Sequence, residues 1–112
     1  MKLKTRVEGD VTVLDMSGKL MGGPDADLLS QAIQDTIAGE RVKVVANLSE
    51  VSWINSTGIG ILVRAYTTLK NAGGDLRLAS LDKRVESIFV VTKLSTVLKA
   101  YASEEEALAS FG

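Results

Sequence analysis

The chain has 112 residues, 46% hydrophobic and 24% charged, and thirteen Lys+Arg against fourteen Asp+Glu leave a formal charge of −1. That balance fits one soluble globular domain over 1–112 with a single core, and it argues against nucleic acid or an anionic membrane held by bulk electrostatics. With no Cys and no His, the chain has no disulfide, no Cys/His metal site, no His-dependent catalytic triad and no His pH switch.

Residues 2–8 and 11–16 read as two short strands, with Gly9-Asp10 between them as a hairpin turn. Leu14 breaks the alternation of Val11, Thr12 and Val13, so the second strand is expected to be buried on both faces. Gly22-Gly23-Pro24 is the clearest break in the first half. After it, Leu28, Leu29, Ala32, Ile33 and Ile37 recur at three- and four-residue spacing, which predicts an amphipathic helix. Pro24 suits its first turn, Asp25 and Asp27 its positive end, and Gly39 its stop.

Residues 42–48 are rich in β-branched side chains and predict a central strand covered on both faces. Residues 49–58 read as a polar loop with apolar anchors. Ile59, Leu62, Val63, Tyr66 and Leu69 then mark one stripe of a helix ending near Lys70, with Asn71, Gly73 and Gly74 as its stop. Leu76 and Leu78 read as a strand. Asp82 caps a short helix whose apolar face is Val85, Ile88 and Phe89. Residues 97–101 are expected to form a last edge strand. Ser103 with Glu106 is a capping-box spacing that opens a final helix burying Ala107, Leu108 and Phe111. The order β-β-α-β-α-β-α-β-α predicts an α/β sandwich with a mixed sheet and about four helices.

One stretch can carry function: Asn55-Ser56-Thr57-Gly58-Ile59-Gly60 places two hydroxyls where a loop becomes a helix. First-turn amides are unpaired and the dipole is positive there, so a phosphate on either hydroxyl is well accommodated. Gly58 and Gly60 let another backbone or a bulky side chain approach. The plainer alternative is that Ser56 only caps the helix and the glycines only permit a tight turn.

Residues 44–79 resemble the STAS domain of bacterial anti-sigma factor antagonists. The resemblance is carried by Val44-Val45-Ala46-Asn47-Leu48-Ser49-Glu50-Val51, by Ile54-Asn55-Ser56-Thr57-Gly58-Ile59-Gly60-Ile61-Leu62 and by Gly73-Gly74-Asp75-Leu76. Val85-Glu86-Ser87-Ile88-Phe89 and Thr92-Lys93-Leu94 resemble the family's third helix and the loop after it. The resemblance implies a binding protein rather than an enzyme. Its partner would be an anti-sigma factor that is also a serine kinase; phosphorylation would weaken binding and a serine phosphatase would restore it. On this chain the implied acceptor is Ser56, with Thr57 as runner-up. The implied contact surface is Met21, Gly22, Trp53, Asn55, Ser56, Thr57, Gly58 and Gly60.

Two positions depart from the family pattern. Asn55 stands where Asp is common, and Gly18-Lys19-Leu20-Met21 stands where the family has Gly-x-Leu-Asp. Both changes remove negative charge from the implied contact face. Met21-Gly22-Gly23 is either an apolar contact or a flexible loop, and Trp53 either anchors a partner or packs beneath the loop.

No metal or cofactor is implied. Glu104-Glu105-Glu106 reads as a solvated helix start, and Gly58-Ile59-Gly60 is not a Walker loop because no Gly-Lys-Ser/Thr follows. The charged N-terminus lacks a signal-peptide h-region and no apolar run reaches the ~18–20 residues of a membrane span, so direct membrane insertion is not expected and the cytoplasm is the expected compartment. An N-terminal edge strand leaves the state open between monomer and weak dimer. The alternative function is a non-phosphorylated STAS subunit or scaffold of a lipid-transport ABC complex or stress-signalling assembly. An enzymatic role would need a Lys or carboxylate base for Ser56, with Asp15 as a spatial candidate.

Overall fold

The computed structural model describes residues 1–111. Ten elements follow in order: β1 (Lys2–Glu8), β2 (Val11–Leu20), α1 (Pro24–Ala38), β3 (Lys43–Ile54), α2 (Ser56–Asn71), β4 (Asp75–Ala79), α3 (Lys83–Val91), a 3₁₀ turn (Leu94–Thr96), β5 (Ala100–Tyr101) and α4 (Glu104–Ala109). The sheet has strand order β1-β2-β3-β4-β5. β1 pairs antiparallel with β2, and the remaining strands run parallel. This is the mixed α/β sandwich that the alternation predicts.

Alternation along the central strands sorts the core onto two faces. Leu14, Met16, Val44, Ala46, Leu48, Leu76 and Leu78 face α1, α2 and α3, while Val11, Val13, Val45 and Ala79 face Ala107 of α4. The parallel register makes this sorting stable, because a one-residue slip would turn every apolar side chain to the wrong side. α1 buries Leu29, Ile33 and Thr36; α2 buries Ile59, Ile61, Leu62, Ala65 and Leu69. Leu28 does not join the core as its spacing predicts: it is 40% exposed. The buried stripe of α1 centres on Leu29, Ile33 and Thr36, and Leu28 lies about 100° round the helix from Leu29, at the edge of that stripe.

Three boundaries differ from expectation. β2 continues four residues past Met16, and residues 49–54 extend β3 rather than forming a loop. The extensions pair with each other through Gly18↔Val51 and Leu20↔Ile54, across register shifts at Asp15/Ser17 and Gly18/Lys19. These irregularities add twist and hide the strand period from a pattern reading. Conversely, the expected strand at 97–101 shrinks to Ala100–Tyr101, because Val97 ends the 3₁₀ turn. Gly39 follows α1 as expected, but with φ −82; the left-handed residue is Glu40 at φ 63.

A polar cluster holds β1, β2, β3 and α4 together. Arg6 Nε donates to Asp15 Oδ2 at 2.6 Å and Nη2 to Asp15 Oδ1 at 3.2 Å, and Asn47 Nδ2 donates to Asp15 Oδ1 at 3.0 Å. Arg6 also pairs with Glu104 at the start of α4. The Arg6 guanidinium holds the Asp15 carboxyl below its ordinary value of 3.8, with Asn47 helping and burial opposing. A depressed folded-state value stabilises the fold above the unfolded value, and that contribution is lost as pH falls through the folded value. Asp15→Asn is therefore expected to narrow the stability gap between pH 7 and about pH 3. Urea melts of both proteins at the two pH values check this, and equal gaps would contradict it.

The acidic run at 104–106 thus has structural work. Besides the Glu104 pair, Ser103 Oγ accepts from the Glu106 amide at 3.2 Å, and Glu106 Oε2 accepts from the Ala102 amide at 3.2 Å. No group of three or more His, Cys, Asp or Glu able to hold a metal occurs among the described residues. None of their helices is long and apolar enough to cross a membrane.

Candidate partner-docking site at the start of α2

The paired extensions of β2 and β3 carry the Leu20-Met21-Gly22 segment and the Asn55-Ser56-Thr57 segment to the same end of the sheet. α2 then begins at Ser56. Its N-cap is Asn55, not Ser56: Asn55 Oδ1 accepts the Gly58 amide at 2.8 Å. The other end of the same side chain is also used, since Asn55 Nδ2 donates to the Met21 carbonyl at 3.2 Å. The Asn55 amide donates to the Leu20 carbonyl at 3.4 Å. One amide side chain thus caps the helix and ties it to the end of β2.

This bond pair gives a reason for Asn at position 55. A carboxylate can accept from Gly58 but cannot donate to Met21, and it would set a negative charge against a carbonyl oxygen. Asn55→Ala is expected to cost about 1–2 kcal/mol by losing the cap and the tie. Asn55→Asp is expected to stay within about 1 kcal/mol of the parent, because the cap survives and gains from the helix dipole. Urea denaturation orders the three proteins, and an Asp variant as weak as the Ala variant would contradict the assignment of the cap.

With Asn55 capping, Ser56 is left as the first residue of α2, exposed, and its hydroxyl makes no hydrogen bond within the described residues. Thr57 is also exposed. The amides of Ser56 and Thr57 precede the first residue able to bond within the helix, and the first turn holds no acidic residue. The N-terminus of α2 is therefore positive, uncompensated and open.

The two motif glycines do different things. A Cβ on Gly58 would lie 2.0 Å from the Leu20 carbonyl oxygen and 2.8 Å from Ile54 Cγ1, so the missing side chain lets α2 seat on β2. Gly58 is buried and offers nothing to a partner directly. Gly60 is exposed with nothing within 4 Å of a built Cβ, which leaves a flat place on the helix surface beside Ser56. Gly22 is at φ +108, and a Cβ there would come 2.7 Å from Thr57 Cγ2. The Thr57 methyl thus packs on Gly22.

Large apolar side chains surround this end. Met21 is 46% exposed and Trp53 is 41% exposed on β3, paired with Lys19. Met21 is held rather than loose: its amide donates to Asp25 Oδ2 at 3.3 Å, and Asn55 holds its carbonyl. Leu28, one helical turn beyond Asp25, is exposed on the same side of α1. The sequence pattern assigns it to the core. Asp15 is not a base for Ser56: its two oxygens are engaged by Arg6 and Asn47, and Asp15 faces α4 through Arg6 and Glu104.

A five-stranded mixed sheet with an antiparallel edge strand, packed between four helices, is the architecture of the STAS domain. The chain belongs to that family: residues 2–107 match the STAS domain model. Among its relatives is the anti-sigma-B factor antagonist of Listeria monocytogenes, 30% identical over 81 residues, covering 72% of this chain and 71% of the relative. The crystal structure of the Thermotoga maritima protein TM1081 superposes with a TM-score of 0.86 at 25% identity, covering 96% of this chain and 92% of that one. The Bacillus cell fate determinant SpoIIAA in its phosphorylated form shares the fold, with a TM-score of 0.74 at 18% identity, covering 99% of this chain and 100% of SpoIIAA.

Proposed function

We propose that the chain is an anti-sigma factor antagonist whose unphosphorylated form sequesters a kinase-type anti-sigma factor and so frees a sigma factor. Ser56 is the acceptor of the switching phosphate, and a serine phosphatase removes it. The observation that carries this reading is the division of labour between neighbours: Asn55 caps α2, which leaves the Ser56 hydroxyl exposed and unpartnered at a positive helix end. The relationship to the Listeria antagonist supports the same reading.

The chain does no chemistry of its own in this account. ATP and Mg²⁺ belong to the partner kinase, whose site would receive Ser56 Oγ as nucleophile. The contact surface is Met21, Gly22, Trp53, Asn55, Ser56, Thr57 and Gly60; Gly58 acts beneath it. Apolar side chains around a small polar centre make a surface that excludes water on contact. A phosphate brings about −1.5 to −2 charges at pH 7, and in the complex it would be confined beside Met21 and Trp53. Moving a complex from 99% to 1% occupied takes about 5.5 kcal/mol, and a buried unpaired charge costs several kcal/mol. In the free protein the same phosphate faces unpaired amides and costs nothing comparable.

The test is incubation with the cognate anti-sigma kinase and ATP, followed by peptide mass spectrometry. Phosphate on the peptide holding Ser56, absent in Ser56→Ala, is the expected result. Phosphate on Thr57 alone, or none, would overturn the assignment.

A further inference from the structure

The β1–β2 hairpin and the C-terminal half of α1 flank a cleft of about 290 Å³. Strand register sets its floor. Val7 pairs with Thr12 and Thr5 with Leu14; Leu14 packs with α1 and α2, while Val11 and Val13 face α4. Alternation therefore turns Thr5, Val7 and Thr12 toward α1. Ala32, Thr36 and Gly39 form the opposite wall, at four- and three-residue spacing on one helix face. Thr12 and Leu20 stand at opposite ends of β2, and Leu20 pairs with Ile54, two residues before Ser56. The cleft is thus at the far end of β2 from the docking site.

Three polar groups of this cleft lack a full complement of partners. Thr12 is 2% exposed, and its Oγ1 is the one buried side-chain oxygen or nitrogen without a hydrogen-bond partner among the described residues. Neighbouring Thr36 shows the ordinary case, its hydroxyl donating to the Ala32 carbonyl at 2.8 Å. One χ1 step exchanges the hydroxyl and methyl positions of Thr12, which lets a bound polar group engage it. Asp35 lies in the last turn of α1, which carries no basic residue. The helix dipole is negative at that end, so dipole and carboxylate together favour a cation. Gln31 Nε2 donates to Asp35 Oδ1 at 2.9 Å, which leaves Oδ2 free. Arg41 lines the same cleft, with Nη1 donating to the Gly9 carbonyl at 3.1 Å. Neither Asp35 nor Arg41 is in a salt bridge among the described residues; the Asp10 carboxylate pairs with Lys43 instead.

The geometry points to a binding site for a small free amino acid with a hydroxylated side chain, its ammonium at Asp35, its carboxylate at Arg41 and its hydroxyl at Thr12. One charge of each sign on the same cleft favours a zwitterion over a singly charged ligand, and a guanidinium matches the geometry of a carboxylate. Val7 and Ala32 take the apolar part of the ligand. The cleft is at the small end of ligand pockets, which begin near ~300 Å³, so it suits one amino acid rather than a nucleotide. This site does not depend on the phosphate switch.

The test is an NMR titration of the ¹⁵N-labelled full chain with L-threonine. Three controls each remove one recognised group: L-valine lacks the hydroxyl, N-acetyl-L-threonine the ammonium and L-threoninamide the carboxylate. The expected result is saturable shifts confined to residues 5–12 and 32–41, with each control binding at least about tenfold more weakly. Thr12→Val should erase the preference over valine, Asp35→Asn that over the acetylated form, and Arg41→Gln that over the amide. Valine keeps the shape of Thr12 and removes an unpartnered hydroxyl, so Thr12→Val should melt no lower than the parent. Absence of saturable shifts, valine binding as tightly as threonine, or preferences unchanged in all three variants would overturn the proposal.

Discussion

Ser56→Asp is expected to leave the free protein at least as stable as the parent while weakening its anti-sigma partner's binding by roughly a hundredfold or more, about 2.7 kcal/mol. The two effects have opposite signs because the same charge meets two environments. In the free protein it sits at the first position of α2, beside unpaired amides and with no acidic residue in that turn. A carboxylate there contributes about 0.3–1 kcal/mol. On the proposed contact surface it would shed water beside Met21 and Trp53, where an unpaired buried charge costs several kcal/mol. Ser56→Ala is expected to bind like the parent and to ignore the kinase. Thermal melts and titration calorimetry separate these outcomes; a Ser56→Asp protein that binds as tightly as the parent would contradict the charge switch.

The second large effect concerns two glycines that look alike in sequence. Gly58→Ala would place a methyl 2.0 Å from the Leu20 carbonyl oxygen and 2.9 Å from its carbon. Both are backbone atoms in a paired strand, so the helix must lift from the sheet. A loss of about 2–3 kcal/mol is expected, or a melting point lower by roughly 10–20 °C. Gly60→Ala meets nothing within 4 Å and is expected to stabilise the helix by about 0.5–1 kcal/mol. A larger residue at Gly60 would instead occupy the flat place beside Ser56 and weaken partner binding without lowering stability. Differential scanning calorimetry on the two alanine variants is sufficient; shifts of the same sign would contradict the packing assigned to Gly58.

Much of this fold was legible because its signals are local and periodic. The three- and four-residue spacing in α2 and the β-branched run at the start of β3 each identify their element without tertiary knowledge. Two features were not legible for physical reasons. The extensions of β2 and β3 satisfy each other through irregular pairing, so neither shows a clean period of two. Asn55 rather than Ser56 caps α2 because Asn55 can also donate to Met21, a contact formed only once the strand extensions bring residues 34 apart in the chain together. The hydroxyl at Ser56 was evident from sequence; its freedom depends on that neighbour. Leu28 was misassigned because spacing alone does not decide which of two adjacent leucines meets the sheet.

The most direct measurement compares one protein in two states. The chain phosphorylated stoichiometrically at Ser56 and the unmodified chain are titrated in parallel against the cognate anti-sigma factor. The account predicts tight binding by the unmodified chain, binding weakened by about 10³–10⁴-fold after phosphorylation, and full recovery on treatment with a serine phosphatase. Equal affinity of the two forms would contradict it.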